Sequence, residues 1–91
     1  MEKGHIKVVA IIYSKLLCPY CEMAKKLLEE KNVPYKELII GVDISKEKAF
    51  EELDTTFTTA PQIVLDEIHI GGYTELVEFF NRLQQQNGEP K

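Results

Sequence analysis

The chain has little of what a metal centre, a membrane segment or a nucleic-acid interface requires. Its 91 residues contain only two cysteines and two histidines, whereas a structural zinc site usually takes four protein ligands. No apolar run approaches the roughly 20 residues that cross a bilayer as a helix. Acidic and basic residues are interspersed at a net charge of −4, so no basic stripe indicates nucleic-acid binding. We therefore expect a protein without metal, membrane or nucleic-acid partners.

An export signal is also missing from this sequence. The apolar segment 8–13 is too short for one, and no small-residue cleavage site follows it. We therefore expect a cytoplasmic protein, in a reducing compartment where a cysteine pair is more often catalytic or metal-binding than structural. At 44% apolar, the chain can build one thin core. We predict a single domain over 1–91, with its core at about 6–83 and a polar tail at 84–91.

The two cysteines belong to one motif, Cys18-Pro19-Tyr20-Cys21, which follows an apolar run and precedes a helical pattern. Cys18 lies at the predicted N-cap, and Pro19 lies at the first helical position, where its missing N–H costs nothing. Free N–H groups and the positive end of the helix dipole favour a thiolate at Cys18. Cys21, one turn further on the same face, can attack a mixed disulfide formed at Cys18. The motif predicts a reversible dithiol–disulfide centre.

Three other interpretations of the pair remain open at this point. A zinc site would have to recruit His5 and His69, which do not have zinc-finger spacing. A purely structural disulfide would close so short a loop that it would constrain the unfolded chain very little. If the two cysteines were inert thiols in the core, nothing would explain a proline at the first helical position beside them. We expect His69 to point off a hairpin and His5 to lie in a frayed end, both without chemistry.

Alternating strand and helix patterns run along the chain. We predict four strands, at residues 6–13, 35–40, 62–65 and 68–70, the first of them buried on both faces. We predict three helices, at residues 19–31, 45–53 and around 76–83, with Ser45 as the cap of the second. The first strand–helix–strand unit should cross over right-handed. The order indicates an α/β domain with a mixed four-stranded sheet and helices on both faces.

Three segments, in this order and spacing, resemble the glutaredoxin family: Cys18-Pro19-Tyr20-Cys21, Thr59-Ala60-Pro61 and Gly71-Gly72. The resemblance covers about residues 6–83. It implies a thioredoxin fold with strand order 2-1-3-4, in which strand three is antiparallel to strand one. It also implies that glutathione is the co-substrate, that no cofactor is bound, and that protein disulfides and glutathione mixed disulfides are reduced. We expect a monomer, with ribonucleotide reductase as the family-based guess for a protein substrate.

The resemblance assigns the redox roles and one end of the glutathione site. Cys18 matches the nucleophile, and Cys21 matches the resolving cysteine. Lys15 matches a lysine that faces the glycine carboxylate of glutathione, and Tyr20 matches an aromatic residue beside the tripeptide. The roles of Lys15 and Tyr20 are implied by the family alone.

The resemblance also assigns the middle and the other end of the glutathione site. Pro61 matches a cis-proline, and Ala60 before it would pair its backbone with the cysteinyl part of glutathione. Taken without the resemblance, Pro61 would be expected to be trans, opening an edge strand. Thr74 and Glu75 match two positions, usually acidic, that hold the γ-glutamyl end.

Three positions depart from the family pattern. Ala60 replaces the usual valine, but the expected contact uses backbone atoms, so we expect it to survive. Thr74 in place of an acid still offers an N–H and a hydroxyl. Phe57 occupies a position that is often basic in related sequences. Because phenylalanine cannot bind a carboxylate, we predict weaker binding at the glycine end of glutathione.

Three functions other than a glutathione-dependent enzyme remain open. One is a thioredoxin-like reductant that is itself reduced by a flavoprotein; Lys15 and the Pro-Tyr pair between the cysteines favour the glutaredoxin type. Another is a binding module that holds a [2Fe–2S] cluster between two protomers, although Pro19 resembles the type without a cluster. The last is a redox-inert interaction domain, which would show no thiol–disulfide exchange.

Overall fold

The computed structural model describes residues 9–88, with side chains described as far as residue 83. Over that range the chain forms, in order, β1 (Ala10–Ser14), α1 (Pro19–Glu30), β2 (Tyr35–Ile39), α2 (Lys46–Leu53), β3 (Gln62–Leu65), β4 (Ile68–Gly71) and α3 (Tyr73–Gly88). The predicted strands and helices are therefore all present. Residues 6–8 of the predicted first strand lie outside the described residues, as does His5.

The strands form one mixed sheet in the order β2-β1-β3-β4. β1 pairs parallel to β2, with Ala10 opposite Tyr35, and α1 provides the crossover between them. β1 pairs antiparallel to β3, and β3 pairs antiparallel to β4. This is the thioredoxin fold with the predicted strand order.

Both faces of β1 are covered, which explains its run of β-branched residues. Ala10 and Ile12 face one core and are fully buried. Tyr13 points to the opposite side, where it packs with Ala49 and Leu53 of α2. The first core joins the sheet to α1 and α3 through Ala24, Leu28, Ile63, Leu65, Leu76 and Phe80. β1 thus has a paired strand on each side and helices on both faces, and residues 15–17 connect it to the cysteine motif.

Side-chain caps and turn residues set the ends of the elements. Ser45 caps α2 as predicted, since its Oγ accepts a hydrogen bond of 3.1 Å from the Lys48 N–H. The β3–β4 turn consists of Asp66 and Glu67, both with positive φ, of 51° and 70°. Positive φ at both central residues gives a two-residue turn the twist that a hairpin needs. Among the described residues, no helix is long and apolar enough to cross a membrane.

α3 is longer than the sequence pattern predicts. It begins at Tyr73 and ends at Gly88, so it includes residues 84–88 of the predicted polar tail. Glutamine has good helix propensity, and the three glutamines at 84–86 lie within the helix. Residues 89–91 lie outside the described residues. The change to polar residues at position 84 therefore marks where the apolar face of α3 ends, and the helix itself continues to Gly88.

Candidate active site

The two cysteines lie at the N-terminus of α1 and are joined by a disulfide, with Cα atoms 5.2 Å apart. Cys18 is the N-cap, and its Sγ accepts the N–H of Cys21 at 3.2 Å. Pro19 occupies the first helical turn, as predicted. Cys18 is 7% exposed and Cys21 is 1% exposed. Cys18 is thus the more exposed of the two cysteines, and it lies where a helix N-terminus stabilises negative charge.

A polar network fixes the end of β1 beneath this helix. Ser14 is fully buried, and its Oγ donates a hydrogen bond of 2.7 Å to Oε2 of Glu37 on β2. Lys25 of α1 lies 3.1 Å from the same carboxylate and 3.0 Å from Glu22. The hydrogen bond from Ser14 and the contact with Lys25 hold the pKa of Glu37 below its ordinary value. Lys25 thus links α1 to β2, and the shared Glu37 carboxylate connects it to Ser14 of β1.

The loop before β3 reaches the cysteine pair. The Ala60–Pro61 peptide bond is cis, as the family resemblance implies. The Ala60 carbonyl oxygen lies 3.7 Å from Sγ of Cys18. Thr59, Ala60 and Pro61 therefore form the wall of the site opposite the helix N-terminus.

Gln62 and His69 hold this loop in place. Gln62 is 7% exposed, and its Nε2 donates to the Thr59 carbonyl at 3.0 Å. Its Oε1 lies 2.8 Å from Nε2 of His69. Because an amide oxygen can only accept, His69 donates this bond. The expectation that His69 points off the hairpin is wrong: the buried amide requires a partner, and His69 supplies it.

Two grooves flank the Thr59–Ala60 segment, and together they include every predicted glutathione-binding residue. The first has a volume of about 270 Å³ and is lined by Lys15, Ile40, Lys46, Phe57, Thr58, Thr59 and Ala60. The second has a volume of about 210 Å³ and is lined by Tyr20, Thr59, Ala60, Pro61, Gly72, Tyr73, Thr74 and Glu75. The predicted residues thus lie on both sides of Ala60, which contacts Cys18, with a lysine in one groove and the N-terminus of α3 in the other.

Glu75 has a structural task that the sequence reading missed. Its Oε1 accepts the Gly72 N–H at 2.9 Å, which satisfies one free donor at the start of α3. Gly71 has φ of 120°, and a Cβ there would lie 2.9 Å from Cγ of Glu75. A Cβ on Gly72 would lie 3.3 Å from the Pro61 carbonyl oxygen. The two glycines therefore allow α3 to start against the proline loop, and one oxygen of Glu75 remains for a ligand.

Lys46 is a second cation in the first groove, and the sequence reading missed it too. It is the first residue of α2 and lines the same groove as Lys15 and Phe57. The Phe57 ring packs edge-on against Phe50, with centroids 4.8 Å apart. Phe57 therefore packs against the core formed by Tyr13, Ala49 and Leu53. Lys46 provides the positive charge that is missing at position 57. The sequence shows that Lys46 directly follows the helix cap Ser45. Only the tertiary fold places Lys46 in the same groove as Lys15.

A dithiol motif at a helix N-terminus, set against a proline loop on a thioredoxin fold, defines a thiol–disulfide oxidoreductase. The family model described as Glutaredoxin matches residues 10–70 of this chain. The chain belongs to the glutaredoxin family.

Curated relatives and solved structures agree with this assignment. The chain is 42% identical to glutaredoxin 1 of Rickettsia felis, over 100% of this chain and 92% of the relative. It is 43% identical to glutaredoxin 3 of Escherichia coli strain K12, over 71% and 77% of the two chains. The crystal structure of glutaredoxin 1 from Francisella tularensis complexed with cacodylate superimposes with a TM-score of 0.70 at 33% identity, covering 89% of this chain and 99% of that one.

Proposed function

We propose that the protein uses glutathione to reduce protein disulfides and glutathione mixed disulfides. The observation that carries this proposal is the pair of grooves that share Ala60, whose carbonyl oxygen lies 3.7 Å from Sγ of Cys18. One groove has two lysines, and the other has a helix N-terminus and an acid. Glutathione has a carboxylate at each end and an ammonium group beside one of them. Its charges therefore match the two grooves, while its cysteinyl thiol would lie between them, at Cys18.

The reaction consists of successive thiol–disulfide exchanges. The Cys18 thiolate attacks one sulfur of the substrate disulfide, forms a mixed disulfide and releases a thiolate that takes a proton from water. Cys21 then attacks Sγ of Cys18, which releases the second substrate thiol and leaves the Cys18–Cys21 disulfide. One glutathione thiolate attacks Cys18, and a second attacks the resulting mixed disulfide. Glutathione disulfide leaves with two electrons removed from glutathione, and the dithiol is restored.

The first groove suits the glycine end of glutathione. Lys15 and Lys46 both line it, so a carboxylate there would face two ammonium groups. Ala60 lies at the inner edge of the groove, with its carbonyl oxygen near Cys18. An extended peptide could pair with the Ala60 backbone as a strand pairs with a sheet edge, which would direct the cysteinyl sulfur to Cys18.

The second groove suits the γ-glutamyl end. Thr74 is in the first turn of α3, where backbone N–H groups favour a carboxylate. The oxygen of Glu75 that does not cap α3 would face the ammonium group. Tyr20 lies against Tyr73 with ring centroids 5.9 Å apart, and together they would cover the apolar side of the tripeptide.

Replacing either groove lysine should weaken glutathione binding. We expect Lys15→Ala and Lys46→Ala each to raise the KM for glutathione several-fold, because a partly exposed ion pair contributes about 0.5–2 kcal/mol. The measurement is steady-state turnover of a small disulfide at varied glutathione concentration. Lys26→Ala is the matched control: it removes the same charge from an exposed position of α1 that lines neither groove. An unchanged KM in Lys15→Ala would contradict the proposed orientation, and an unchanged KM in Lys46→Ala would limit it to one cation.

The remaining parts of the proposal concern cofactor, partners and location. We propose a monomer that needs no bound cofactor and acts in the cytoplasm, where glutathione is reducing. Among the described residues, no group of three or more His, Cys, Asp or Glu side chains could hold a metal ion. The alternative of a [2Fe–2S] cluster is tested by the visible absorbance of freshly purified protein. Ribonucleotide reductase is the protein substrate to try first, on the family resemblance alone.

A further inference from the structure

Four large apolar side chains stand exposed around Cys18. Leu16 is 63% exposed, Leu17 98%, Tyr20 59% and Met23 42%. The two leucines directly precede Cys18, and Tyr20 and Met23 lie three apart on α1, so that they share one face of the helix. We call these four residues the apolar rim. Side chains exposed to this extent add little to the stability of the domain, and their clustering at the reactive sulfur indicates an interaction surface.

Leu17 is the most informative member of the rim. Its φ is 54°, in the left-handed region that is unfavourable for residues with a bulky side chain. Its side chain is almost wholly exposed, so no packing inside the domain compensates for the backbone strain. An asparagine or glycine would fit this position better. A strained and solvent-exposed leucine beside a reactive group is the kind of outlier from which a functional hypothesis is drawn.

We propose that the apolar rim selects protein substrates, and that it binds an extended segment with a bulky aliphatic or aromatic residue next to the cysteine under attack. The reaction itself dictates the contact. Cys18 must form a bond to the substrate sulfur, so the residues that flank the substrate cysteine must lie on the residues that flank Cys18. Among those flanking residues are Leu16, Leu17 and Tyr20.

The proposal depends on the oxidoreductase class and not on the use of glutathione. The Cys18 thiolate attacks the substrate disulfide, one substrate thiol leaves, Cys21 attacks Cys18 and the second thiol leaves. Two electrons pass from the protein dithiol to the substrate disulfide. Glutathione has no bulky apolar side chain beside its cysteine, so Leu16, Leu17 and Met23 would favour protein segments over glutathione. Tyr20 also lines the second groove and would contact both kinds of substrate.

The test compares two peptide disulfides in single turnovers without glutathione. Each is a dimer of one short peptide joined by one disulfide, with leucines on either side of the cysteine in one and serines in the other. The protein is reduced with dithiothreitol, desalted and mixed with each peptide, and the released peptide thiol is followed with time. We expect the native protein to react faster with the leucine peptide by about 10-fold, which corresponds to ~1.4 kcal/mol.

The Leu17→Asn variant distinguishes a role of Leu17 in substrate binding from a role in the stability of the domain. Because asparagine tolerates a left-handed backbone, this variant should be at least as stable as the native protein to denaturant. We expect it to lower the leucine-to-serine rate ratio to about one third of the native ratio or less. Ile68→Ser is the matched control: it removes an apolar side chain that is 66% exposed at the start of β4, and it should leave the ratio unchanged. An unaltered ratio in Leu17→Asn would overturn the proposal, whether both rates stay at their native values or both fall by the same factor. A common fall would mean altered reactivity of Cys18.

Discussion

Cys18→Ser should abolish all thiol–disulfide exchange, whereas Cys21→Ser should remove only part of it. Cys18 is the more exposed of the two sulfurs and accepts the Cys21 N–H at the start of α1. A serine hydroxyl is not ionised at neutral pH, so the Cys18→Ser protein has no nucleophile at this position. Cys21 is 1% exposed and acts only on a disulfide that already involves Cys18.

The two variants should therefore differ by substrate. In Cys21→Ser, a glutathione mixed disulfide can still be reduced, because glutathione itself can resolve the intermediate on Cys18. Reduction of a protein disulfide should fall to a small fraction, since it needs the second cysteine to release the substrate. Both reactions are measured with each variant against the native protein at equal concentration. Equal residual activity in the two variants would contradict the assigned order of attack.

Leu28→Ala should cost about 2–5 kcal/mol of the free energy of unfolding. Leu28 is fully buried, with a relative accessibility of 0%, and it packs among residues of β1, β3 and α3. A domain of this size has a total stability of only about 5–10 kcal/mol, so the loss would be a large part of it. The midpoint of thermal unfolding should fall by roughly 10–30 °C.

The measurement for Leu28→Ala is denaturant unfolding with the disulfide intact, followed by circular dichroism. Leu83→Ala is the matched control, because Leu83 is an α3 leucine that is 40% exposed. It should cost less than about 1 kcal/mol. Similar losses in the two variants would mean that α1 is not held by the core in which Leu28 lies.

The local features of this protein could be predicted from the sequence. The β-branched run predicted a central strand because β1 is covered on both faces. Ser45 predicted the start of α2 because its cap is a contact three residues away. The cysteine motif predicted the redox centre because Cys18 and Pro19 take their places from the start of a single helix, α1. The strand order came from the family resemblance, and the structure confirms it.

The Glu75 cap of the Gly72 N–H is a local contact, but the other missed contacts depend on how two elements of the fold pack together. Lys46 and Lys15 share a groove only because α2 lies beside the end of β1. His69 and Gln62 meet only because β3 and β4 pair as a hairpin. The contact of Lys25 with Glu37 requires α1 to lie across β2. No spacing pattern in one segment indicates such contacts, because each results from the packing of two elements.

The most direct test of the glutathione dependence is to supply the same disulfide substrate with two different reducing systems. One contains glutathione, glutathione reductase and NADPH, and the other contains thioredoxin reductase and NADPH. The grooves beside Cys18 predict turnover that saturates with glutathione in the first system and stays at background in the second. Efficient turnover with thioredoxin reductase, together with background rates at all glutathione concentrations, would contradict the proposed function.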